Sequence, residues 1–225
     1  MKNNIVALLP IKKNSERVKH KNFRLMAGKP LYQWVLETLL SCDFFTEVFV
    51  NTDCTEFIAS LNKLYPSVKT ALRPSEICGD LISMDRIIEH DINECKNAKY
   101  FLQTHTTNPL LTVKTLKNAI NMYFKNLEAY DSLFSVNKIQ ARTYWPNGQA
   151  INHDLGNLLR TQDLTPIMEE NANFFLFSRE SFFKTNSRVG LTPFLHVTPR
   201  LESFDIDEEE DFVFVDSLLT LKNIP

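Results

Sequence analysis

The sequence predicts an α/β fold, a three-layer sandwich in which helices cover both faces of a mostly parallel β-sheet. Two observations carry this. Short apolar or β-branched runs alternate with longer stretches of helical period, as strand-helix-strand units require. The chain has 225 residues, 44% hydrophobic and 23% charged, enough to bury the core of one domain. The expected domain therefore spans 1–225, interrupted once by a polar insertion at 138–170.

In chain order, "NIVALL" (4–9) is an unbroken apolar run suited to a buried strand. "PLYQWVLETLLSC" (30–42) is a helix with Pro30 at its first turn and Leu31, Trp34, Val35 and Leu39 on one side. "EVFVNT" (47–52) is a strand, 55–65 a helix, "VKTALR" (68–73) a strand and 82–95 a helix. "YFLQTH" (100–105) is a strand, 112–126 a helix and "DSLFSVN" (131–137) a strand. The rhythm then breaks: 138–170 carries polar runs and a Pro-Asn-Gly turn suited to a hairpin, which marks an inserted arm. "ANFFLFS" (172–178) resumes the sheet, "RESFFKT" is a short helix, 194–199 an edge strand and 207–221 a closing helix.

In open parallel sheets ligands bind beyond the carboxyl ends of the strands. The loop leaving the first strand there, "LLPIKKNSERVKHKN" (8–22), holds Lys12, Lys13, Arg17, Lys19 and Lys21. These suit a polyphosphate, with Asn14, Ser15 and loop amides adding hydrogen bonds, although a charge run of this kind is also ordinary solvated surface. Gly-rich phosphate loops are excluded: Gly28-Lys29 is followed by Pro30 where a P-loop needs a hydroxyl, and no GxGxxG occurs. Near the other end, "ESFDIDEEEDF" (202–212) packs seven carboxylates into eleven residues. Asp205 and Asp207, two apart, share a face if extended and suit a hard divalent cation; Asp207 also suits the N-cap of the helix that follows. "NTD" (51–53), "RPSEICGD" (73–80) and "THTTNPLL" (104–111) follow strands and fall at the same edge. Asp53 there suits a helix cap, Arg73 a core carboxylate, and Asn108-Pro109 a turn.

The net charge of −2 spreads no positive field over the molecule, which argues against nucleic acid or a membrane surface as partner. Cys42, Cys54, Cys78 and Cys95 lack metal-ligand spacing and read as reduced, mostly buried thiols. The first apolar run is too short for a secretion signal, and none approaches the roughly 20 residues of a membrane span. The expected location is the cytoplasm.

Six stretches in order, "LPIKKNSERVKHKN", "AGKPLYQW", "VNTD", "LRPSEICGD", "TTNPLL" and "FDIDEEEDF", resemble the acylneuraminate cytidylyltransferase family over residues 5 to 215. The resemblance implies a nucleotide-diphospho-sugar transferase-like fold. It also implies transfer of CMP from CTP to a sialic-acid-like nonulosonic acid for surface glycans, with release of pyrophosphate. By the same resemblance Pro10, Lys12, Ser15, Lys21, Asn22, Arg73, Asp80 and Ser83 meet the nucleotide. Asp205 and Asp207 handle Mg²⁺, and Lys21 and Asp207 are the catalytic residues. His105, Thr107 and Asn108 face the acceptor; Arg160, Gln162, Glu170 and Asn173 complete its pocket near a homodimer boundary formed by the arm. The sequence departs from the family pattern at Lys12, for an Arg; at Glu16, for a Lys; and at His105, for a Gln, next to the expected sugar. Two alternatives stay open: a nucleotidyltransferase of this fold for another sugar acid or sugar phosphate, or a non-catalytic nucleotide-binding protein.

Overall fold

β1 (Ile5–Leu8) is buried at every position and is an interior strand, third from one edge, of a seven-stranded sheet. A computed structural model describes residues 4–222. After β1 the chain forms a two-residue hairpin, β2 (Leu25–Met26) with β3 (Lys29–Pro30), and then α1 (Leu31–Leu40). Next come β4 (Phe45–Thr52), α2 (Thr55–Leu64), β5 (Lys69–Leu72) and α3 (Met84–Glu94). β6 (Tyr100–Thr104), α4 (Val113–Lys125) and β7 (Ser132–Ile139) follow. The chain closes with β8 (Ile167–Ser178), α5 (Arg179–Thr185), β9 (Pro193–Val197) and α6 (Glu209–Lys222).

The strand order is β5-β4-β1-β6-β8-β7-β9, and all neighbours are parallel except β8, which runs against both β6 and β7. From β1 the chain builds outward through β4 and β5, then crosses back to place β6 on the other side of β1. That reversal opens a crevice at the carboxyl ends of β1 and β6, where loops 9–22 and 105–112 leave.

The alternation of side chains along β1 assigns the layers. Ile5 and Ala7 join one core cluster with Val35, Leu36 and Leu39 of α1, Phe57 and Leu61 of α2, and Leu116 and Ile120 of α4. Val6 and Leu8 point the other way, onto Ile88 and Ile92 of α3 and Phe182 of α5. Each such side chain fully buried contributes about 1.5–3 kcal/mol. A third cluster, Val18, Met26, Leu31, Ile206, Phe212, Val215 and Leu219, packs α6 against the β2–β3 hairpin. The hairpin and α6 thereby clamp the first loop through Val18.

Several boundaries differ from the sequence reading. β7 runs on to Ile139 and β8 begins at Ile167, so the two form a long hairpin and the irregular arm is only residues 140–166. The Pro-Asn-Gly turn does form a hairpin: Tyr144 bridges Ala150, and the Trp145 N–H donates to the Gln149 carbonyl at 2.8 Å. α1 starts at Leu31, so Pro30 is its cap residue and not part of its first turn. α6 starts at Glu209, so Asp207 is not its cap; Asp211 instead accepts the Asp207 and Glu208 N–H groups at 3.0 and 2.7 Å. All four cysteines are free thiols, with Cys42, Cys54 and Cys95 buried and Cys78 half-buried.

The turn into β9 has no room for a side chain at Gly190. A Cβ there would lie 2.1 Å from Asp131 Oδ1, a carboxylate already accepting the Leu191 and Thr192 N–H groups. Gly190→Ala is expected to lower unfolding free energy by about 1–3 kcal/mol, the usual range for overpacking, read as a reduced urea midpoint at unchanged slope.

Candidate active site

Past Leu8 the first strand keeps pairing with β4, the Leu9 and Ile11 N–H groups donating to the Phe49 and Asn51 carbonyls at 2.9 and 2.8 Å around the buried Pro10. The chain then loops out and returns in a short 3₁₀ turn, Lys21–Phe23, whose first two residues are buried. Asn22 fastens this loop in two directions. Its amide donates to the Lys12 carbonyl at 2.8 Å, and its Oδ1 accepts the Thr106 hydroxyl at 2.6 Å. Asp53 takes the Lys13 N–H at 2.6 Å, so it holds the loop, and the cap position of α2 falls to Cys54.

Lys21 is the junction of the two sequence poles. Its ammonium donates to the Ile206 carbonyl and lies 3.9 Å from Asp207, while the Ile206 N–H donates to the Thr107 carbonyl at 2.9 Å. Burial pushes the Lys21 pKa down, opposed by the Asp205 and Asp207 charges. Burial also pushes the Asp205 carboxyl up, opposed by a Thr107 hydrogen bond and by Lys21. Around this junction exposed cations meet exposed carboxylates: Lys12 to Asp80 at 2.6 Å, Arg17 to Asp207 at 2.5 Å, and Arg24 to Glu209 through two bonds of 2.7 Å.

Arg73 is buried at the exit of β5 and does not pair directly with a carboxylate. Its Nε donates to Asn51 Oδ1 at 2.7 Å, and the Asn51 amide donates to the fully buried Asp91 at 2.5 Å. Burial raises the Asp91 carboxyl, and the hydrogen bond to Asp91 raises His90 beside it. Ser83 caps α3 by accepting the Arg86 N–H at 3.4 Å.

Buried polar atoms without a protein partner gather at this edge: Thr52 Oγ1, both side-chain polar atoms of Asn108, Asn173 Oδ1 and Asp205 Oδ1. Each such atom left unsatisfied costs about 1–3 kcal/mol, which suits groups kept for a ligand or solvent.

The structure thus brings together Pro10, Lys12, Lys21, Asn22, Arg73, Asp80, Thr107, Asn108, Asp205 and Asp207, with Ser15 half-buried in the same loop. Asn173 lies beside the end of β6, where its carbonyl accepts the Thr104 hydroxyl at 2.6 Å. Arg160 and Gln162 stay on the arm, Arg160 tied to Asp163 at 2.7 Å, and Glu170 is exposed on β8. The sequence reading puts Asn51 at this edge within "NTD" but gives it no role, and it misses Asp91; the signal of both is a polar residue where an apolar strand or helix face should continue. It also missed Gln103 and Arg188. Arg188 lies in the loop between α5 and β9 and donates to Gln103 Oε1 at 2.6 Å and to Asp85 at 3.0 Å; no motif marks it.

His105 is neutral here. Burial first, then the charges of Arg188 and Lys21, push its pKa down to about 3 from 6.5. Between those values the unfolded chain binds the proton and the folded chain does not, so stability is lost as pH falls through that window. His105 is expected to contribute up to about 1.4 kcal/mol per pH unit there. Urea unfolding between pH 7 and 5 should show a shallower pH dependence for His105→Gln than for the parent chain.

Residues 6–215 match the family model described as Cytidylyltransferase. N-acylneuraminate cytidylyltransferase of Escherichia coli O18:K1:H7 is 24% identical over 99% of this chain and 54% of the relative. Pseudaminic acid cytidylyltransferase of Campylobacter jejuni serotype O:2 is 25% identical over 95% of this chain and 94% of the relative. The chain spans about half the length of the E. coli relative and of the Streptococcus agalactiae N-acylneuraminate cytidylyltransferases it also matches. Among solved structures, CMP:2-keto-3-deoxy-manno-octonic acid synthetase complexed with CTP superposes with a TM-score of 0.72 at 13% identity, covering 98% of this chain and 100% of that one. 4-diphosphocytidyl-2C-methyl-D-erythritol synthase from Anaerococcus prevotii gives 0.68 at 10% identity, covering 96% of each. These likenesses agree on a nucleotidyltransferase fold, and together with the family match they show that the chain belongs to the cytidylyltransferase family.

Proposed function

We propose that the protein transfers CMP from CTP to a sialic-acid-like nonulosonic acid and releases pyrophosphate. The observation that carries this reading is Lys21, buried where the basic first loop meets the Asp205–Asp207 segment. In such a reaction a sugar hydroxyl oxygen bonds to the α-phosphorus of CTP, the bond from that phosphorus to the bridging oxygen breaks with its electron pair leaving on pyrophosphate, and the hydroxyl proton passes to solvent. Positioning and charge neutralisation do most of the work, so no nucleophilic side chain is needed. Lys12 and Ser15 meet the triphosphate, and Lys21 meets the developing charge. Asn22 holds the loop closed, and Arg73, with Asp80 and Ser83, bounds the nucleotide pocket.

The residues present fit a magnesium ion. Asp205 Oδ1 is buried without a partner, and Asp207 offers a second hard oxygen two residues on. Among the described residues no three His, Cys, Asp or Glu side chains make a metal cage alone; Mg²⁺ commonly takes one or two carboxylates and fills its shell with phosphate oxygens and water. Bound there, it would supply neutralisation of phosphate charge. Arg17 gives up its bond to Asp207 in that state.

The acceptor class is supported by relatives named for N-acylneuraminate and pseudaminic acid. On this reading His105, Thr107, Asn108 and Asn173 face the sugar, and Arg160, Gln162 and Glu170 act across a homodimer boundary. Exposed apolar side chains on the arm, Trp145 at 56%, Leu155 at 62% and Leu158 at 61%, support its role as a dimer arm on a single domain. The product would feed cell-surface glycan synthesis from the cytoplasm; among the described residues no helix is long and apolar enough to cross a membrane.

Pyrophosphate release should require CTP, a divalent cation and one nine-carbon sugar acid from a panel of N-acetylneuraminic, legionaminic and pseudaminic acids. Equal release with ATP, GTP or UTP would remove the cytidylyl reading, and a preference for 3-deoxy-octulosonic acid would move the acceptor class. Lys21→Met is expected to lower kcat by roughly 10²–10³, the usual loss for one preorganised electrostatic group. Asp207→Asn should weaken the response to Mg²⁺ while the protein stays folded by circular dichroism. Leu158→Asp should shift the molar mass measured by light scattering from dimer to monomer.

A further inference from the structure

Three polar side chains the sequence reading did not connect form a chain ending at the crevice. Arg188 is held from below by Asp85, which accepts both its Nε at 3.0 Å and its backbone N–H at 3.2 Å, and its guanidinium lies 4.1 Å from the Phe175 ring centre. Its Nη1 donates to Gln103 Oε1 at 2.6 Å. A guanidinium has donors and no acceptor, so this bond fixes which end of the Gln103 amide is oxygen. The Gln103 nitrogen is then turned toward the Thr104 carbonyl at 2.8 Å and toward His105 Nε2 at 3.1 Å. An amide nitrogen only donates, so His105 Nε2 is the acceptor and the ring carries its one proton on Nδ1. That Nδ1 has no partner among the described residues and is not among the polar atoms buried without one, and His105 as a residue is half-buried.

We infer that Arg188 and Gln103 are positioning residues that lock His105 in its neutral Nδ1–H form, and that this N–H recognises an oxygen of the sugar acid. The second half rests on the function proposed above and deepens it. A glutamine in place of His105 offers a donor on a freely rotating amide. Here the donor belongs to a rigid ring whose other nitrogen is already satisfied, so the site selects for an acceptor oxygen at one position and against a donor group there. Doubly protonated His105 would set Nε2–H against the Gln103 N–H, and the relay therefore also opposes charging of the ring.

The test has two arms. In the first, long-range proton-nitrogen NMR is recorded at pH 7 on the whole chain labelled with ¹⁵N-histidine, the His105 signals being assigned by their loss in His105→Gln. The expected result is the Nδ1–H tautomer, with Gln103→Glu moving the proton to Nε2 because the new carboxylate oxygen accepts there. An Nε2–H ring in the parent chain, or a Gln103→Glu ring that stays Nδ1–H, overturns the relay. If Gln103→Glu does not fold, Arg188→Met, which frees the amide to turn over, must show a tautomer mixture for the relay to stand. In the second arm, His105→Ala should raise KM for the sugar acid about tenfold, the loss of one substrate hydrogen bond, with KM for CTP changed less than twofold. An unchanged sugar KM overturns the recognition role. Turnover of no sugar acid by the parent chain overturns it together with the proposed function, and the NMR arm still decides the relay.

Discussion

The site exists because β1 has neighbours on both sides whose chains depart in opposite directions. β4 leads outward to β5 and the Arg73 exit, whereas β6 leads to the turn at Asn108. A parallel sheet must then leave a gap at the carboxyl end between β1 and β6, since no loop crosses it. The first loop fills that gap from one side and residues 205–207 close it from the other. Lys21 and Asn22 are buried for this reason: they are the stitches across it, and the buried cluster of Val18, Met26, Ile206 and Phe212 keeps them in place.

Charge in this crevice is balanced but loosely held. The pairs Lys12–Asp80 and Arg17–Asp207 are substantially exposed, and pairs of that kind are typically worth about 0–1 kcal/mol. Such pairs are therefore separated at small cost. Lys21 and Arg73 differ: both are buried and tied to the backbone or to an amide, so they are held in place by the protein itself. The loop thus combines fixed cations with exchangeable ones.

Much of this was legible in the sequence. The strand-helix alternation placed the sheet, and the collinear stretches placed Lys21, Asn22, Arg73, Asp205 and Asp207 at one edge because each follows a strand or precedes the last helix. Local chemistry was read less well. Asp53 and Asp207 both look like helix caps, but Asp53 takes the Lys13 N–H from a distant loop, and Asp211, in the first turn of α6 itself, serves the start of that helix. The boundary of the arm was blurred because Ile167 to Glu170 are largely exposed and lack an apolar alternation, although they pair in register with β7. Arg188 was invisible for a different reason. Its partner Gln103 is 85 residues away, and a link of that separation leaves no local period.

The arm enters and leaves through a hairpin whose base is pinned in the sheet, with Ile139 opposite Ile167 and Val136 opposite Glu170. Because the register is fixed at the base, what lies beyond it does not set the pairing of β7 with β8. Lengthening a loop costs only about 0.6 kcal/mol per doubling, so residues 140–166 form a module that can be lengthened, shortened or exchanged while β6, β8 and the first loop stay where they are. The fold thereby lets the reach of the arm vary without shifting the strands that carry the crevice.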